Sequence, residues 1–179
     1  MKKNKVIMLA IVALAALFLP RSLQAQADKG KLMKDSKAAK MAFIKTDASM
    51  NNLFNTSYGY VIFPNVGKGA VVVGAAGGNG VVYEKGKTIG TAKMVQVTAG
   101  AQVGGQAYRE VIFFENKDAL DRFKENKIEF SGQVSAVAAK SGASATAKYT
   151  DGVAVFTEER GGLMLEASLG GQKFTYKSL

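Results

Sequence analysis

From Tyr58 onward the chain leaves helical periodicity and runs in short alternating stretches rich in β-branched and aromatic residues, separated by glycine. This pattern admits few architectures. Period-two runs joined by turns build a mostly antiparallel sheet. Tyr58 to Pro64 reads as a strand closed by proline, Gly69 to Gly74 as a second and Gly80 to Glu84 as a third. The run Gly77 to Gly80 between them has the composition of a turn, and Glu84 to Lys87 that of a hairpin. Met94 to Ala107 is the most regular stretch: Val95, Val97, Ala99, Ala101, Val103 and Ala107 share one side, and Gln96, Thr98, Gly100, Gln102, Gly104 and Gln106 the other. Such alternation predicts one packed face and one polar or closely approached face. Val111 to Phe114 is apolar on both sides, as in a central strand. Ser131 to Tyr149, made mainly of small residues, reads as a strand and loop where backbones come close. Asp151-Gly152 turns into a strand at Val153 to Thr157, Arg160 to Gly162 turns again into Leu163 to Leu169, and Phe174 to Tyr176 closes the domain.

Two segments read as helices. Over residues 29–55, Leu32, Ala39, Phe43, Met50 and Phe54 fall in one arc of the helical wheel, with Lys31, Lys34, Lys37 and Lys45 roughly opposite. Lys40 and Asp47 sit near the apolar arc and blur it. This helix covers one side of the domain and leaves a lysine face, which is either simply solvated or docks on an anionic membrane surface. The second helix spans 116–126, with Asn116 as N-cap and Leu120 and Phe123 on one face. The expected fold class is therefore α+β: a mostly antiparallel, Gly-rich sheet, sandwich- or barrel-like, with an N-terminal amphipathic helix and one further helix.

Residues 1–27 read as a secretory signal peptide. Lys2, Lys3 and Lys5 precede an apolar run from Val6 to Leu19, and Ala25-Gln26-Ala27 supplies small residues for cleavage after Ala27. The run is shorter than the ~20 residues a spanning helix needs. Removing it takes Lys2, Lys3, Lys5 and Arg21 and no acid, so the formal charge falls from +10 to +6 over a single domain at 28–179. Export to the periplasm or outer membrane, or beyond the cell, makes nucleic acid an unfitting partner despite the basic balance.

The composition excludes much chemistry. With no His and no Cys there is no His-based triad, cysteine nucleophile, thiolate or imidazole zinc site, or disulfide. Gly86-Lys87-Thr88 resembles the end of a phosphate-binding loop, but Val81 stands where its first glycine belongs and a strand follows. Glu158 and Glu159 read as solvated charges in a hairpin turn, and Asp118, Asp121 and Glu125 as surface charges of the second helix. No cofactor or metal is expected, and a binding module fits this inventory better than an enzyme.

Six stretches in order carry a resemblance: SYGYVIFP from Ser57, GKGAVVVG from Gly67, GNGVV from Gly78, QVGGQ from Gln102, VIFFE from Val111 and ALDRF from Ala119. Together with the closing GLMLEASLGG from Gly162, they resemble the SYLF domain family over nearly the whole chain from about residue 35. SYLF domains are lipid-binding modules that bind phosphoinositides in eukaryotes, with actin binding reported for fungal members. The resemblance implies a non-catalytic module for an anionic lipid surface, binding anionic phospholipid or phosphoinositide-like head groups; for an exported chain, acidic phospholipids or lipid A phosphates are the available substitutes. Lys31, Lys34, Lys37 and Lys45 would supply the contact, with Lys68 as a further candidate. The alternatives are a small outer-membrane β-barrel and a structural or protein-interaction module, actin-binding-like or self-associating through its Gly/Ala-rich strands.

Overall fold

The computed structural model describes residues 21–67, 75–97, 107–128, 137–138, 142, 144–159 and 172–179. The chain divides into two compact units, Met1–Lys31 and Leu32–Leu179. Where described, the first is helical from Arg21 onward.

The chain order is α1 (Arg21–Thr46), α2 (Met50–Thr56), β1 (Gly59–Val66), β2 (Ala75–Glu84), β3 (Lys87–Val97), β4 (Tyr108–Phe114), α3 (Lys117–Lys124), β5 (Val137–Ala138), a 3-10 turn (Ser144–Thr146), β6 (Val153–Glu159) and β7 (Gln172–Ser178). The expected α+β fold with a mostly antiparallel sheet is what forms. The strands lie in the order β5-β6-β4-β1-β2-β3-β7, all antiparallel pairs except the two-residue β5, which runs parallel to β6. Among the described residues the sheet is not closed, and β5 and β7 are its edges.

Each sheet face is covered by helix. On one face Phe43 of α1 and Met50 and Phe54 of α2 pack over Tyr60, Ile62, Val111, Phe113 and Phe156. On the other, Leu120 and Phe123 of α3 pack with Val61, Phe63, Ile112, Phe114 and Phe174. Strand β4 is apolar on both sides because it lies at the middle of this three-layer stack, as Val111 to Phe114 implied. Among the described residues, helix-covered faces replace the lipid-facing apolar band of an outer-membrane barrel.

The second face is concave. Gln172 Nε2 in β7 donates to Glu110 Oε2 in β4 at 3.0 Å, although β1, β2 and β3 lie between these strands in the ladder. Four steps of ~4.8 Å would separate them by about 19 Å in a flat sheet. The sheet therefore curls until its edge strand β7 faces β4 across the interior.

Several boundaries differ from the sequence reading. The expected single helix over 29–55 is two, because Asp47 interrupts it between α1 and α2. Pro64 does not close β1, which runs on to Val66 with a register irregularity between Phe63 and Val66. Gly77 to Gly80 form no turn. They lie inside β2, where glycine is needed for close approach to β1: a Cβ on Gly80 would sit 2.8 Å from the Phe63 ring, and one on Gly78 2.7 Å from the Asn65 carbonyl. The expected hairpin at Lys85-Gly86 and the expected turn at Asp151-Gly152 both form, with positive φ at both central residues of each. Gln96, placed on the polar face, points inward with Met94 and Ala92, while Val95 is half-buried on the other side. Glu158 is a β6 strand residue rather than a turn charge. The expected strands at 69–74 and 163–169 lie outside the described residues, except that Ala75 opens β2.

Candidate lipid-docking face

Helix α1 positions the candidate lysines through its opposite side. Ala39 and Phe43 are buried against the sheet, with Leu32, Met33 and Ile44 half-buried beside them. Polar anchors add direction: Ser36 Oγ and Tyr83 OH share a buried hydrogen bond of 3.1 Å, and Thr46 Oγ1 donates to Glu158 Oε1 at 2.5 Å. Glu158 also takes a 2.6 Å ion pair from Arg109 on the neighbouring strand.

With that face fixed, Lys34, Lys37 and Lys45 are exposed, as the wheel implied. Met41 stands among them, four residues from both Lys37 and Lys45, and is 65% exposed. Residues 34, 37, 41 and 45 thus form one stripe with an apolar side chain inside a lysine field. Lys31 is also exposed but belongs to the N-terminal unit, and Lys68 lies outside the described residues.

Lys40 belongs to the other side. Its Nζ lies 4.7 Å from the Phe54 ring centroid and 5.3 Å from that of Tyr60, and donates to Tyr60 OH at 3.4 Å. Burial lowers its pKa from the ordinary lysine value. A cation over two aromatic faces keeps its charge while its stem packs, which explains a lysine beside the apolar arc.

Asp47 is explained similarly. It is buried at the α1–α2 junction and accepts from the Ser49 amide at 3.1 Å, the Ser49 hydroxyl, the Gly142 amide at 3.2 Å and the Ser144 amide at 2.8 Å. Burial pushes its carboxyl up, but these hydrogen bonds from Ser49 and Ser144 outweigh it and hold the group well below the usual carboxylate range. Sequence reasoning placed Asp47 near the apolar arc without assigning it this role. Its signal was an acid near buried positions followed closely by Ser49. The exposure of Met41 had no separate signal, since a methionine in a helix is usually core.

Residues 95–178 match a family model for Ysc84, described as Las17-binding protein actin regulator. Over 124 residues the chain is 36% identical to Beta cell expansion factor A of Aeromonas veronii, itself a SYLF-family protein. The chain belongs to the Ysc84, or SYLF, family. The aligned part is 68% of this chain and 47% of that relative, so the chain spans about half the length of the curated protein it matches. SYLF domains are binding domains rather than enzymes. In this SYLF chain the matched region begins within β3, so α1 and its lysine stripe precede it.

Proposed function

We propose that the chain is a non-catalytic module that docks on an anionic lipid surface through the exposed face of α1. The exposure of Met41 between Lys37 and Lys45, on a helix whose other side is packed down, is the observation that carries this reading. Lysines near an anionic surface contribute about 1 kcal/mol each. Lys34, Lys37 and Lys45 therefore support weak, salt-sensitive attachment, to which an inserted Met41 side chain adds apolar burial. Lys31 and Lys68 are proposed as auxiliary contacts. The exported location belongs to the same proposal: residues 1–27 address the chain to the periplasm or outer membrane, where acidic phospholipids and lipid A phosphates supply the anionic surface.

A second reading is a protein partner, favoured by the family description as an actin regulator. Co-sedimentation with vesicles of 30% phosphatidylglycerol in phosphatidylcholine, with pure phosphatidylcholine vesicles and with filamentous actin separates the two. The lipid reading expects pelleting with the anionic vesicles alone and its loss on raising the salt. Equal pelleting with neutral vesicles, or pelleting with actin only, overturns it.

A further inference from the structure

The interior of the curled sheet holds a polar cluster that the lipid-docking face does not use. Tyr108 and Glu110 of β4, Thr157 of β6, Gln96 of β3 and Gln172 of β7 are all buried. Tyr108 OH donates to Gln96 Oε1 at 2.9 Å and Gln172 Nε2 donates to Glu110 Oε2 at 3.0 Å, so two bonds cross the concavity.

The hydrogen-bond accounting is incomplete in one specific way. Glu110 Oε1, Gln172 Oε1 and Thr157 Oγ1 are buried without partners, and Thr157 lies directly opposite Glu110 in the β4–β6 register. Two of the three atoms can only accept while Glu110 is ionised, so the cluster is short of a donor. A proton on Glu110 supplies one, and it also removes an unpaired buried charge.

Among the described residues the surroundings offer no other compensation. From β1 the nearest cross-strand residue is Phe63, and from β7 Gln172 is followed on the same side by Phe174. The titratable neighbour is Tyr108, kept neutral because burial, and then the Glu110 charge, raise its pKa. Arg109 and Glu158 alternate onto the opposite face and pair with each other, while Lys93 and Lys173 are exposed. Among the described residues no cation pairs with Glu110.

We propose that Glu110 is a proton-operated clasp across the interior of the curled sheet: neutral, it holds β4 to the edge strand β7, and ionised, it loosens that edge. Burial pushes the Glu110 carboxyl up to about 7, against a smaller opposing effect of the Gln172 hydrogen bond. Strand β7 is the element that responds, because it is laddered to β3 alone among the named strands.

An acid whose folded pKa is raised holds its proton in the folded state after an opened state has released it, so ionisation favours opening as pH rises between about 4.5 and 7. The opening constant for β7 then rises about fifteenfold from pH 5.5 to pH 7 and about twofold more by pH 8.5, where it levels off.

The test is amide hydrogen exchange of the β7 and β3 backbone at pH 5.5, 7 and 8.5, corrected for intrinsic rates, on the full chain and on Glu110→Gln. The clasp expects protection of β7 to fall across the first interval in the wild type and to stay level in the variant. A level wild-type profile, or the same fall in Glu110→Gln, overturns it. A carboxyl carbon chemical-shift titration of wild-type Glu110 needs no variant: a midpoint near 7 supports the clasp and one below 5 overturns it.

Discussion

The carboxylate of Asp47 accepts a 2.8 Å hydrogen bond from the backbone amide of Ser144, 97 residues further along the chain. One short side chain thereby ends α1, starts α2 through Ser49 and fixes the segment at 142–144. Asp47→Ala strips partners from buried amides and is expected to cost about 2–3 kcal/mol in urea unfolding at neutral pH. Because the folded carboxyl is held below its unfolded value, its contribution is present above about pH 4 and lost as pH falls further. Asp47→Asn should flatten that acid limb, and an unchanged limb would show that other carboxylates dominate it.

Glycine at position 80 is a packing requirement. A Cβ there meets the Phe63 ring at 2.8 Å and the Ile62 carbonyl at 2.9 Å, and Phe63 is fully buried with little room to move. Gly80→Ala is expected to lose about 2 kcal/mol, lowering Tm by several degrees. Gly30→Ala is the contrast, since Gly30 is helical with open space around its would-be Cβ. Calorimetry should show a gain of roughly 0.5–1 kcal/mol there.

Asn116 caps α3 by accepting from the Ala119 amide at 3.0 Å. Asn116→Ala is expected to cost about 1 kcal/mol, while Asn116→Asp should be nearly neutral. Equal loss in both variants would point away from capping. Chemical denaturation of the three proteins measures it.

The lysine stripe predicts a ranked set of binding defects. Lys37→Glu and Lys45→Glu should each weaken pelleting with anionic vesicles, roughly tenfold or more per reversal, and the pair should abolish it. Met41→Ser should weaken it less and leave its salt dependence intact. Lys40→Gln should leave it unchanged, because Lys40 faces the Phe54 and Tyr60 rings. A Lys40 defect equal to that of Lys37 would mean that net charge, rather than the stripe, governs attachment.

Much of this architecture was legible where one rule acted alone. The apolar arc at Ala39, Phe43, Met50 and Phe54, the Asn116 cap, the both-sided strand at Val111 to Phe114 and the Lys85-Gly86 turn each follow from local periodicity or turn chemistry. The misreadings arose where tertiary proximity overrode local signals. Gly77 to Gly80 have turn composition, yet β1 lies against them and needs glycine's bareness. Gln96 is a polar residue turned into a core because the sheet curls, and curl leaves no trace in alternation. Of the site, the exposure of Lys31, Lys34, Lys37 and Lys45 was readable from the wheel. The setting of Met41 among them depends on which side of α1 the sheet claims.

The break at Asp47 has a kinetic consequence. Ala39 and Phe43 before it and Met50 and Phe54 after it are buried in the same cluster, so α1 is pinned on both sides of the junction and cannot roll about its axis. Its outward stripe is consequently preformed. Vesicle capture should then proceed as a single bimolecular step, with an observed rate rising linearly with lipid concentration and no plateau from a slow rearrangement.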